Sequence, residues 1–147
     1  MKKLAIYFMA ALLLVGCSSA QSNNPPKLTL EINGKVYQTE QGTYCWANRC
    51  VDMVSPEEIM VGKGTIKVAA NEEIKLVMNY KSNRIEAHLS YFKDDVPTDV
   101  PMKDLRFHAP SEPGVYYYAA SFWWMAPNQQ PNTSEGDSSY VFAIEVQ

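Results

Sequence analysis

The chain has 147 residues, with 13 Lys and Arg against 16 Asp and Glu, a formal charge of −3 at pH 7. That acidic balance gives no electrostatic ground for binding nucleic acid or anionic lipid headgroups, which need basic patches to displace counterions. Hydrophobic residues at 46% and charged residues at 20% exclude a disordered polyelectrolyte and leave a folded chain with an ordinary core.

The first element is an N-terminal apolar run. Lys2 and Lys3 precede Leu4 to Val15, about twelve residues where a spanning helix needs about twenty. Leu14-Val15-Gly16-Cys17 follows, and the chain turns polar at once. A plain secretory signal favours an A-x-A-like site instead. The four residues resemble the lipobox of bacterial lipoproteins at every position. The resemblance implies that residues 1–16 are a signal peptide and that the Cys17 thiol receives a diacylglyceryl group. Cleavage of the Gly16–Cys17 bond then leaves Cys17 as an acylated N-terminus on the extracytoplasmic face of the cell membrane. Acyl chains give about 0.8 kcal/mol per buried methylene, and two of them anchor a protein stably. The mature chain would have 147 − 16 = 131 residues, one domain's worth, and a charge of 11 − 16 = −5.

Residues 17–27 read as a flexible tether. Ser18 to Lys27 has no apolar side chain larger than Ala or Pro, and Pro25-Pro26 favours extended backbone. The domain proper is expected over 28–147. Leu28, Leu30 and Ile32 alternate with polar residues, Asn33-Gly34 signals a hairpin, and Lys35-Val36-Tyr37 returns. Gly42 to Trp46 is β-rich and leads to Cys45-Trp46-Ala47-Asn48-Arg49-Cys50. With Cys17 consumed by lipid, Cys45 and Cys50 remain to pair in an oxidising compartment. The rival uses are a metal pair or a redox motif, but C-x-x-C spacing is missing and no histidine lies nearby in sequence. A loop this short adds only about 2 kcal/mol by chain entropy, so its use is to fix local shape.

Ser55-Pro56-Glu57-Glu58 carries an N-cap and a Pro at the first helical position. Thr65 to Val68 is a short strand. Ile74 to Tyr80 and Ile85 to Phe92 both alternate with period two. Asp94 to Pro101, with two prolines and three aspartates, is expected to be a loop. Leu105 to His108, Val115 to Trp124 and Tyr140 to Val146 complete about eight strands. The fold class is all-β, an antiparallel sandwich.

Ala109-Pro110-Ser111-Glu112-Pro113-Gly114-Val115-Tyr116 runs into the long strand. It resembles the corner of immunoglobulin-like sandwiches where an early tyrosine packs across the turn, which implies that architecture with Tyr116 in the corner. Gly42 to Trp46, Cys50-Val51-Asp52, Pro113 to Tyr116 and Phe122-Trp123-Trp124 together resemble a group of small, mostly uncharacterised lipoproteins of Gram-positive bacteria. That resemblance carries no activity. The last forty or so residues are also similar to an intracellular proteinase inhibitor domain, which implies a protein-interaction module as an alternative.

The aromatic strand is the strongest functional lead. If Tyr116, Tyr118, Phe122 and Trp124 face the core, Tyr117 and Trp123 face outward, free to stack on sugar rings or pack on a partner. The loop Pro127 to Asp137 is long, polar and amide-rich, so Asn128 and Gln129 join Tyr117 and Trp123 as ligand-binding candidates. His88 and His108 stand on separate strands, and Asp94, Asp95 and Asp99 lack the order of a calcium loop, so no metal and no cofactor are expected. G-x-S-x-G, H-E-x-x-H and phosphate-loop patterns are absent. The expected function is a membrane-anchored, non-catalytic binding module of the cell envelope, its partner an envelope protein or glycan. A proteinase-inhibitor-like module and a small envelope hydrolase are the alternatives.

Overall fold

The computed structural model describes residues 22–80, 84–94, 96–125 and 134–147. Among the described residues eleven strands and one helix follow in order: β1 (Leu28–Ile32), β2 (Lys35–Gln38), β3 (Glu40–Trp46), β4 (Arg49–Val51), α1 (Pro56–Met60), β5 (Ile66–Val68), β6 (Glu73–Met78), β7 (Ile85–Lys93), β8 (Val96–Asp99), β9 (Arg106–His108), β10 (Gly114–Met125) and β11 (Ser134–Val146). They form two sheets. The smaller has the order β2-β1-β6-β9, and the larger β4-β3-β11-β10-β7-β8, with β5 added to β11. Every pairing is antiparallel except β5 with β11, which is parallel.

The inner faces of both sheets meet in one core. Leu28, Leu30, Ile32, Ile74, Leu76 and Phe107 come from the smaller sheet. The larger contributes Leu89, Tyr116, Tyr118, Ala120, Phe122, Trp124, Tyr140, Phe142 and Ile144. This is the period-two alternation read off the sequence, with one face of each strand buried. Tyr118 and Phe142 stack at 5.0 Å, and Trp124 meets the edge of Trp46 at 4.9 Å. Gly136 lies beneath Trp46, where a Cβ would come within 2.6 Å of the indole. At the other end of β10, the Tyr116 hydroxyl donates to the Glu112 carbonyl at 2.9 Å and ties the turn to the strand.

Two local expectations need correction. Asp94 to Pro101 is not all loop, because Val96–Asp99 pairs with β7 as an edge strand. Pro97 is compatible with that, since an edge strand leaves one side of its backbone unpaired. The final strand begins at Ser134 rather than Tyr140, and its polar first residues pair with the far end of β10. Ser134 to Asp137 therefore leave the loop to which their composition assigned them. Ser22 to Lys27 holds no strand but is bonded to the domain twice. Trp46 Nε1 donates to the Ser22 carbonyl at 2.9 Å, and the Tyr140 hydroxyl donates to the Pro26 carbonyl.

Candidate functional site

The outer face of the larger sheet is built from the residues that alternate with the core. On β10 these are Val115, Tyr117, Ala119, Ser121 and Trp123, none fully buried, while Tyr116, Tyr118, Ala120, Phe122 and Trp124 are. Register fixes what lies beside each. Trp123 stands opposite Asp137 on β11 and Glu86 on β7, and Asp137 stands opposite Cys45 on β3. One row across the sheet thus reads Cys45, Asp137, Trp123, Glu86. Directly opposed side chains share a face with Cβ atoms about 5 Å apart. The adjacent row is Ser139, Ser121, His88.

The indole of Trp123 is half-buried, and the His88 ring meets it edge-on at 5.4 Å and 88°. Glu86, His88, Trp123, Met125 and Ser134 line a depression of about 410 Å³ that opens on this face. Arg84 pairs with Glu86 at 3.6 Å, whereas Asp137 makes no ion pair among the described residues. An indole flanked by two carboxylates and an imidazole offers an apolar surface ringed with hydrogen-bonding atoms.

Tyr117 has a different fate. It packs with Met60, Val141 and Ala143 beneath α1, so the helix covers that end of the outer face. The helix forms there because Ser55 Oγ accepts from the Glu58 N–H, Pro56 opens the first turn, and Met60 supplies the buried side chain. Tyr117 and Trp123 are six residue steps apart along β10, about 20 Å at the usual rise. The two outward aromatics are therefore not one patch. Only Trp123 remains in an open depression.

Cys45 and Cys50 form a disulfide between facing positions of the β3–β4 hairpin, with Cα atoms 4.0 Å apart. Ala47 and Asn48 turn the chain with φ of 48° and 65°. Tyr44 and Trp46 point into the core, so the bridge sits on the outer face at the end of the Trp123 row. Cys17, Asn128 and Gln129 lie outside the described residues. Glu86 and His88 were visible as the polar side of β7, but nothing local revealed that β7 lies beside β10. Asp137 was hidden by the loop-like composition of its neighbours.

A second cavity, of about 420 Å³, opens at the other end between the sheet edges, with Tyr91, Asp99, His108, Glu112, Tyr116 and Tyr118 in its lining. Burial, reinforced by Tyr91 and Tyr116 close by, pushes the Tyr118 phenol well above its ordinary value. Its hydroxyl has no hydrogen-bond partner among the described residues. No group of three or more His, Cys, Asp and Glu suited to a metal ion occurs among the described residues. None of the described helices is long and apolar enough to cross a membrane. No protein-family model matches the chain, and no curated protein matches it.

Proposed function

We propose that this chain is a lipid-anchored lipoprotein on the extracytoplasmic face of the cell membrane, a non-catalytic module that binds an envelope glycan or protein. The observation that carries the binding face is the half-buried Trp123 indole between Glu86 and Asp137, met edge-on by His88. An aromatic ring with carboxylate and imidazole neighbours serves both a sugar, by stacking and hydroxyl hydrogen bonds, and a polar peptide. The anchor rests on the Leu14-Val15-Gly16-Cys17 pattern.

The architecture is immunoglobulin-like in this reading. Strands β11, β10, β7 and β8 lie side by side in one sheet, and β6 pairs with β9 in the other. The Tyr116-to-Glu112 bond at the head of β10 matches the tyrosine corner of such sandwiches.

Co-sedimentation with purified cell-wall sacculi, and capture from solubilised envelope proteins, test the binding face with wild type, Trp123→Ala and Glu86→Gln side by side. Loss of binding of at least about tenfold for Trp123→Ala, roughly the 1.4 kcal/mol of one good contact, is expected with the fold intact. Equal binding by wild type and Trp123→Ala would refute the site.

A further inference from the structure

The two hydrogen bonds to the N-terminal segment bear on how the domain stands on its membrane. Ser22 is held at Trp46, and Trp46 packs against Trp124 and Tyr80 at one end of the sandwich. The segment then passes Tyr140 at Pro26 and enters β1 at Leu28. Tyr116, Glu112 and the second cavity lie at the opposite end. Along β10, Tyr116 and Trp123 are seven residue steps apart, about 24 Å at the usual rise.

We infer that the end carrying Trp46, the disulfide hairpin and the Trp123 depression is the membrane-proximal end. The inference rests on the anchor at Cys17 proposed above and adds the orientation. Between Cys17 and Leu28 there are eleven peptide steps, which would let a free tether reach about 40 Å. Fixing Ser22 to Trp46 leaves five steps, so the reach falls to about 18 Å. That is less than the length of the sandwich. The Trp46 end therefore stays close to the headgroups, while the Tyr116 end is free to stand away from them. The Trp123 depression opens near the bilayer surface, and its ligand has to be present there.

Asn79 and Ser111 are both exposed and mark the two ends. Asn79 follows β6 beside Tyr80, and Ser111 follows Pro110, whose carbonyl accepts from the Asn71 N–H ahead of β6. The lipidated full chain, carrying Asn79→Cys or Ser111→Cys with Cys45–Cys50 left oxidised, is labelled with a donor fluorophore. It is then inserted into phosphatidylcholine vesicles containing an acceptor on the headgroup. Energy transfer is expected to place the Asn79 probe closer to the surface, by on the order of 20 Å for an upright molecule. Trp46→Phe with Tyr140→Phe keeps an aromatic ring at each position and removes both donors, and should reduce that difference, with Leu28, opposite Met78, still joining the chain at the same end. Flotation with the vesicles but equal or reversed transfer would overturn the orientation, and so would an unchanged difference in the double variant. Failure to float with the vesicles would overturn the anchor, and the orientation with it.

Discussion

Trp123 and Trp124 are adjacent in sequence and opposite in environment. Trp124 is fully buried, edge-on to Trp46 and Tyr80 and near Phe122. Trp123 stands half-buried between two carboxylates, with His88 its one ring neighbour among the described residues. The pleat alone separates them, since successive strand residues point to opposite faces. The same contrast recurs on the outer face, where Tyr117 lies under α1 and Trp123 does not. Aromatic residues stand on both faces of β10, four inward and two outward. What distinguishes structure from candidate site is whether a second element covers the ring.

The largest expected effect comes from breaking the buried side. Trp124→Ala should cost about 3–5 kcal/mol, the usual penalty for truncating a core aromatic. A thermal melt reads this directly. Gly136→Ala should cost about 1–3 kcal/mol by overpacking, because its Cβ would meet Trp46 at 2.6 Å and the Cys45 carbonyl at 3.1 Å. Backbone on one side leaves no room to yield, so a neutral result would mean that Trp46 does not lie over β11. Replacing both Cys45 and Cys50 with Ala should cost about 2 kcal/mol, modest because the closed loop is short. Denaturant titration with and without reductant checks it: wild type should fall to the level of the double variant on reduction.

The smallest effect sharpens the account of the inner face. Tyr118→Phe removes a buried hydroxyl without a partner among the described residues, so it should be neutral or stabilising by up to about 1 kcal/mol. The sign with pH follows from the raised pKa. Below the ordinary tyrosine value of about 10 both folded and unfolded chains keep the proton, and stability is unaffected. Above it the unfolded chain ionises first, so wild type loses stability as pH rises toward the folded-state value. Burial shifts Tyr140 the same way. Melts at pH 8 and pH 11 should show a smaller alkaline loss for Tyr118→Phe, with the Tyr140 part remaining. An identical loss in both proteins would place the alkaline sensitivity elsewhere.

The alternation was legible because one face of each strand is buried. Leu28, Leu30 and Ile32, or Ile74 and Leu76, declare themselves through period two. The Asn33-Gly34 hairpin and the Ser55-Pro56 helix start were equally local signals, each set by backbone chemistry within four residues. Register between distant strands was not legible. Glu86 and Asp137 flank Trp123 only because β7 and β11 lie on either side of β10, and no residue near Trp123 encodes that. Val96–Asp99 and the first residues of β11 read as loop because proline and polar composition suppress intrinsic strand preference, while pairing with a long neighbour supplies the stability. Tyr117 read as exposed because the sequence fixes where α1 starts but not which face it covers.

The division of β10 into a core face and an outer face is tested most directly by the unfolding free energies of Trp123→Ala and Trp124→Ala, measured in one denaturant series. Trp123→Ala should lie within about 1 kcal/mol of wild type, as surface substitutions do, with Trp124→Ala at least about 3 kcal/mol below it. If Trp123→Ala proves the more damaging of the two, the faces are exchanged, and Trp123 is a core residue rather than the floor of a binding site.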